Sequence, residues 1–304
     1  MESVDIVIPV YNEEASIIEN VKTISEHLPD NGMGFSFILV DDGSTDNTWD
    51  KLKDIEINNT KIKAFRFSKN FGKENALLLG ISKSFGDATI VLDSDLQHPP
   101  SLIPELIKLW KDFDYDIIEA VKNTRPESRI NKLLVTVYHS ILTKISGINL
   151  KNSSDFKLMS KSVREEIVKL NEYHFFFRAI VEWIGYKKMK IYFDVADREG
   201  GESKFNFRSL INLAINGVTS FSSAPLRIIS YLGILTLLIS FVFGVITLVQ
   251  YAMGIALGGF STVILLILII GSIQMLSLGI LGLYIAKIFD QSKMRPRYIV
   301  KEEF

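Results

Sequence analysis

Between Ile228 and Ala286 the chain carries no Asp, Glu, Lys or Arg. Soluble core helices rarely run so far without a charge, because each needs a polar face toward water. The stretch divides into two apolar runs, 228–253 and 262–286, joined by the glycine-rich turn Gly254-Ile255-Ala256-Leu257-Gly258-Gly259-Phe260. Each run exceeds the roughly 20 residues, at about 1.5 Å per residue, that cross about 30 Å of hydrocarbon. Arg208 and Arg227 precede the first run, Lys287, Lys293, Arg295 and Arg297 follow the second, and the turn is uncharged. The positive-inside rule then predicts a two-helix membrane anchor with both ends cytoplasmic.

The rest of the 304 residues suffices for one α/β domain of ordinary size. A net charge of -1 offers no global basic field for nucleic acid. The absence of cysteine excludes disulfides, thiolate metal sites and thiol nucleophiles. The opening Met1-Glu2-Ser3-Val4-Asp5 is acidic and has no apolar h-region, so no signal peptide is expected. The expected boundaries are a cytoplasmic domain over 1–204, an amphipathic interfacial helix over 205–226, and an anchor with a C-terminal tail over 227–304.

The first hundred residues alternate strand and helix signals. Strands are predicted at Val4 to Val10 (ended by Pro9), Phe35 to Val40, Ile62 to Phe67 and Ala88 to Leu92. Helices are predicted from Asn12 (as N-cap) to His27, from Thr45 to Ile57, and from the Gly72 loop to Phe85. Continuous Val/Ile/Leu strands in a βαβα rhythm predict an α/β domain, a mostly parallel sheet with helices on both faces. Ligands of such sheets bind outside the carboxyl ends of the strands. The polar clusters Tyr11 to Glu13, Asp41 to Asp46 and Asp93 to Gln97 all follow strand ends and are expected to share one crevice.

Asp93-Ser94-Asp95-Leu96-Gln97 places two carboxylates one residue apart at a strand end. Hard oxygen ligands of this kind suit Mg²⁺ or Mn²⁺, which share coordination with substrate phosphates and act on them as Lewis acids. Asp41-Asp42-Gly43-Ser44-Thr45-Asp46 reads both as a capped βα turn and as a ligand loop, with Gly43 admitting close approach of a ligand to the backbone. His98, fixed by Pro99, reads equally as a loop residue or as a neighbour of the metal. Tyr173-His174-Phe175-Phe176-Phe177 with Trp183 reads as core or membrane-facing packing.

Val7-Ile8-Pro9-Val10-Tyr11-Asn12-Glu13-Glu14, Val40 to Asp46, Asn70-Phe71-Gly72-Lys73 and Asp93 to Pro100, in that order and spacing, resemble the successive motifs of glycosyltransferase family 2. Ser154 to Met159, Arg198 to Phe205 and Gly217 to Arg227 are similar to the polyprenyl-phosphate branch, the bactoprenol glucosyltransferases and relatives of dolichol-phosphate mannose synthase. The resemblance covers essentially the whole chain. It implies a GT-A fold and an inverting single displacement. Pro9, Tyr11, Glu13, Asp41 and Asp42 would hold the nucleotide sugar. Asp93 would sit at the nucleotide–metal junction, and Asp95 with Gln97 would ligate Mg²⁺ or Mn²⁺. Asp155 matches the residue usually assigned as base. Lys122, Arg125, Arg198, Ser203 and Lys204 match positions around the acceptor phosphate or diphosphate. The chain departs from the pattern at Ser154, where Gly is usual, at Lys157, where Arg is usual, and at Lys122, a point charge in place of an arginine fork. Lys73 fits the pattern without an assigned role.

The implied reaction is transfer of a sugar, glucose from UDP-glucose first, to undecaprenyl or another polyprenyl phosphate at the cytoplasmic membrane face, giving a lipid-linked donor for the cell envelope. The alternatives are UDP-N-acetylglucosamine or GDP-mannose as donor, or a non-catalytic nucleotide-binding membrane scaffold. Because a phosphate monoester with a second pKa of about 6 is mostly a dianion near neutrality, Asp155 has little proton to remove. A homo-oligomer, with a tetramer as one form, is expected from related enzymes. Gly271, Ser272, Ser277, Gly279 and Gly282 would permit close helix packing.

Overall fold

A computed structural model describes residues 2–57, 60–122, 153–173, 175–193, 222–254 and 259–304. The chain divides into two compact units. The first contains an eight-stranded mixed sheet: β1 (Ser3–Val10), β2 (Gly34–Asp41), β3 (Lys61–Phe67), β4 (Ala88–Val91), β5 (Ile117–Lys122), β6 (Lys157–Ser160), β7 (Lys188–Phe193) and β8 (Val300–Glu303). Their spatial order is β7-β5-β6-β4-β1-β2-β3-β8. Pairs β1/β2, β2/β3, β1/β4 and β5/β7 are parallel. β6 runs antiparallel to β4 and β5, and β8 antiparallel to β3.

Helices cover both faces, as continuous apolar strands require. On one face Ile17, Val21 and Ile24 of α1 (Ile17–Glu26), Trp49 and Leu52 of α2 (Thr48–Lys53), and Ile103, Leu106 and Ile107 of α4 (Ile103–Phe113) pack on Val4, Ile6, Ile8 and Phe37. On the other, α3 (Lys73–Ser82), α5 (Lys161–Lys169) and α6 (Phe177–Trp183) pack on Val7, Ile38, Val40 and Val91. The strand order reverses between β1 and β4, the switch point where α/β sheets open a ligand crevice.

Pro9 does not end β1; it pairs in register with Val40. The carbonyl of Val7 accepts from Leu92 N–H on the β4 side, and β4 pairing stops at Val7↔Val91. The missing N–H of Pro9 therefore faces a stretch where no neighbouring strand needs it. Asn12 is not a helix cap. It adopts φ 53°, and α1 starts a turn later at Ile17. Its side-chain oxygen is spent instead on Thr45 N–H, at 2.9 Å. The second helix is likewise shorter than expected, because Asp46 accepts from both the N–H and the hydroxyl of Thr48 and starts it there.

The second unit holds α7 (Ala224–Ala252) and α8 (Phe260–Ser292). Both are long and apolar enough to cross a membrane over Ala224–Gln250 and Leu266–Ser292. They extend past the uncharged stretch at both ends and take in Arg227 and Lys287. The Tyr284 hydroxyl donates to the Ser222 carbonyl at 2.7 Å. Residues 205–221 of the expected interfacial helix lie outside the described residues. Within the tail expected after the anchor, Arg295–Phe304 belongs to the sheet unit, and β8 forms the sheet edge beside β3.

Candidate active site

The loops after β1 and β2 are laced together. Asn12 N–H donates to Ser44 Oγ at 2.9 Å, Glu13 N–H to Thr48 Oγ1 at 2.8 Å, and Asn47 N–H to Glu14 Oε2 at 2.9 Å. Glu13 itself accepts from Ser16 Oγ at 2.7 Å, while Tyr11 remains exposed beside it. Gly43 is required where it stands. Its φ is 69°, and a Cβ would lie 2.3 Å from the Lys69 carbonyl carbon of the loop after β3.

Asp41 is buried at the end of β2. Its Oδ1 accepts from Ser44 N–H at 2.9 Å, and its Oδ2 faces Arg66 Nε at 3.3 Å. Burial pushes its carboxyl up, against the opposing pull of Ser44 and Arg66. Asp42 turns the other way and accepts from Phe71 N–H at 2.7 Å and Gly72 N–H at 3.0 Å. Burial raises it too. Asp42 thereby anchors the chain entering α3, whose first residue is Lys73.

Lys73 connects loops that are separate in sequence. Its Nζ lies 2.6 Å from Asp93 Oδ1 and 2.8 Å from Asp155 Oδ2. Arg178, from α6, forks the same Asp155 carboxylate with two bonds of 2.7 Å. Burial alone would raise Asp155, but Arg178 and then Lys73 outweigh it and hold the carboxyl well below the usual carboxylate range. Glu74 accepts from Phe177 N–H at 2.8 Å, and burial pushes it up to about 7.

Behind Asp155 sits a buried ion pair, Lys157 Nζ to Glu119 Oε1 at 2.9 Å. Glu119 also accepts from Ser153 Oγ and Ser154 N–H, so it holds the turn that carries Asp155. Burial opposes its charge, yet these donors, led by Lys157, keep its carboxyl lowered. His98 packs its ring against Phe156 and Phe193, with Nε2 3.4 Å from Ser154 Oγ. Asp95 is exposed and accepts from Gln97 N–H at 3.1 Å. Among the described residues no group of three or more His, Cys, Asp or Glu side chains converges on one ion. The carboxylate and amide side chains that follow β4 are those of Asp93, Asp95 and Gln97. Their chemistry, two carboxylates and an amide oxygen, is of the hard type that suits a divalent cation such as Mg²⁺ or Mn²⁺, which takes few protein oxygens and completes its shell with water and phosphate.

The structure joins Lys73, Asp93 and Asp155 through direct ion pairs, while Asp42 reaches them only through the backbone of Gly72 next to Lys73, Asp41 faces Ser44 and Arg66, and Asp95 follows on the same loop as Asp93. Lys122 is exposed at the carboxyl end of β5. Arg125, Arg198, Ser203 and Lys204 lie outside the described residues, as does His174. Phe175 and Phe177 are core residues, whereas Trp183 is exposed. Sequence reasoning missed Arg178 and Glu74. The signal available for Arg178 was a lone cation inside an otherwise apolar aromatic stretch.

Residues 5–167 match the family described as Glycosyl transferase family 2. The chain is a family 2 glycosyl transferase. This transferase is 35% identical over 303 residues to a bactoprenol glucosyl transferase of Shigella phage SfV, covering 99% of this chain and 98% of that one. It is 35% identical over 301 residues to the prophage bactoprenol glucosyl transferase homolog of Escherichia coli (strain K12), covering 98% of each. An uncharacterized glycosyltransferase, sll0501, of Synechocystis sp. (strain ATCC 27184 / PCC 6803 / Kazusa) is 34% identical over 300 residues, covering 98% of this chain and 94% of that one.

Proposed function

We propose that this transferase moves glucose from UDP-glucose to a polyprenyl phosphate, undecaprenyl phosphate first, with inversion at the anomeric carbon. One observation carries the reading: Asp93 and Asp155, from separate loops, meet at a shared cation, Lys73, beside the Arg178 fork. Two anions must be brought together in this reaction, and preorganised cations lower that cost. The full-length similarity to proteins named bactoprenol glucosyl transferase supports the same acceptor and sugar here.

In this reading an acceptor phosphate oxygen attacks the anomeric carbon. The bond to the UDP oxygen breaks, and its electron pair leaves with UDP. The acceptor arrives mostly as a dianion, so no proton needs removal at the attacking atom. Asp155, held ionised by Arg178 and Lys73, is a weak proton acceptor. We assign it to orienting those two cations toward the phosphates. Pro9, Tyr11, Glu13, Asp41 and Asp42 bound the nucleotide side, and Lys122, Arg125, Arg198, Ser203 and Lys204 the acceptor and diphosphate side. Asp93, Asp95 and Gln97 would hold Mg²⁺ or Mn²⁺, which neutralises charge on the leaving diphosphate.

The membrane reading rests on α7 and α8, whose many exposed Leu, Ile and Phe side chains would not persist in water. The chain leaves the sheet unit before α7 and re-enters it after α8 as β8. An even number of crossings therefore keeps both termini on the side of the sheet, and Arg227 with Lys287, Lys293, Arg295 and Arg297 makes that side cytoplasmic. Small residues along α8 support a homo-oligomer.

The test is a donor panel of UDP-glucose, UDP-N-acetylglucosamine and GDP-mannose, using full-length protein in membranes with undecaprenyl phosphate and Mg²⁺ or Mn²⁺. The lipid product is read by mass spectrometry. A glucosyl lipid that vanishes in Asp155→Asn and Asp95→Ala is expected. Nucleotide binding without any lipid product would instead identify a scaffold, and full activity in Asp95→Ala would remove the metal role.

A further inference from the structure

The strand that follows the apolar helices pairs with β3 across Arg66, which is itself the register partner of Asp41 at the end of β2. β8 pairs with β3 at Phe65↔Glu303, Arg66↔Glu302 and Phe67↔Val300. Phe304 extends the pairing with two 3.0 Å bonds to Ala64, and Ser68 N–H donates to the Ile299 carbonyl at 2.9 Å. Aromatic contacts lock the strand in place. Phe304 meets Trp49 edge-on at 5.4 Å, and Tyr298 stacks on Phe67 at 5.0 Å.

Arg66 lies between this strand and Asp41. On one side its Nη1 is 3.6 Å from Glu302 Oε1, and its guanidinium lies 5.8 Å from the Trp49 ring centre. Trp49 in turn donates its indole N–H to Glu302 Oε2 at 2.9 Å. On the other side Arg66 Nη2 donates to the Ser44 carbonyl at 3.1 Å, and Nε faces Asp41 Oδ2 at 3.3 Å. That Oδ2 is fully buried and, among the described residues, has no hydrogen-bond partner, only the charge of Arg66 facing it. A buried carboxylate with one bare oxygen depends on where its neighbouring cation is aimed. Glu302 and Trp49 restrict that aim from the far side of the guanidinium.

We infer that Glu302 is a positioning residue for the donor nucleotide: it aims Arg66 at the Asp41 carboxylate and the Ser44 carbonyl. This rests on the reading that Asp41 faces a nucleotide. The last residues of the chain, beyond both apolar helices, thereby set the geometry of a loop near its beginning. The effect is confined to donor affinity, because neither Glu302 nor Arg66 contacts Asp93, Asp155 or Lys73.

The experiment uses the full chain in detergent, with UDP and GDP as calorimetric probes and donor and acceptor KM measured separately. Glu302→Gln keeps an acceptor for Trp49 but removes the charge. Its nucleotide Kd and donor KM are expected to rise about 5- to 10-fold, with acceptor KM and saturated kcat kept within about twofold. Glu302→Asp is expected to recover part of the affinity, and Glu303→Gln, on the neighbouring exposed residue, to leave it intact. Wild-type protein that binds neither nucleotide would sink the proposed donor class itself. Wild-type binding with an unchanged Kd in Glu302→Gln would overturn this inference alone. A parallel fall in apparent Tm, kcat and affinity would overturn it as well, because that pattern describes damage to the fold.

Discussion

The guanidinium of Arg178 closes a two-pronged contact on the carboxylate of Asp155, Nε to Oδ1 and Nη2 to Oδ2, both at 2.7 Å. The family pattern leads one to look for this cation two residues after Asp155, but Lys157 there is buried against Glu119. The charge comes from α6 instead.

Removing that fork tests what Asp155 does. Arg178→Ala is expected to lower kcat by about 100-fold, and Arg178→Lys to fall between it and wild type, since a point charge cannot make both bonds. Asp155 is depressed in the folded protein, so the pair's contribution to stability is present above about pH 4 and lost as pH falls through the lowered value. In Arg178→Ala the carboxyl returns toward its ordinary range. The pH–rate profile then gains an acidic limb at higher pH than wild type, measurable by lipid-product formation between pH 4 and 8.

Lys73→Met leaves Asp93 and Asp155 facing one another without the ammonium between them. Turnover is expected to drop by about 30- to 100-fold, with Lys73→Arg retaining a part. Single-turnover transfer measured at saturating donor separates this from a change in donor binding.

Glu74 gives the protein a second pH dependence, of opposite sign. Its folded value of about 7 lies above the ordinary glutamate value of 4.5. Across that window the unfolded chain has lost the proton and the folded one keeps it, so stability falls as pH rises toward 7. Glu74→Gln keeps an acceptor for Phe177 N–H and removes the titration. Apparent Tm measured at pH 5 and pH 8 should differ less in the variant, with an upper bound of about 3 kcal/mol on the effect.

The Glu119–Lys157 pair is nearly sealed from solvent. Breaking it by Glu119→Gln leaves the Lys157 ammonium buried without its carboxylate and is expected to cost about 3–5 kcal/mol, whereas Lys157→Met leaves Glu119 facing Lys190 Nζ at 3.5 Å and is expected to cost less. The double variant should recover part of that loss in urea or thermal unfolding. Fully additive losses would show that the two charges do not support one another.

The strand–helix alternation from Val4 to Leu92 was legible because buried parallel strands demand unbroken apolar runs. The acidic clusters were legible because they stop those runs at strand ends. The antiparallel insertion of β6 was not legible, because nothing local distinguishes the direction in which a short buried strand pairs. Arg178 was hidden for a similar reason. Its partner Asp155 lies on another element, and its own neighbours read as packing residues.

Local composition by itself determined the two apolar helices, the carboxylates at the strand tips and the family they point to, because each is a property of contiguous residues. Tertiary structure alone decided that Lys73 joins Asp93 to Asp155, that Arg178 forks the latter, and that the C-terminal strand backs Arg66. Those contacts depend on distances between segments that are remote along the chain. Such distances are set by the packing of the whole sheet, not by any stretch of it.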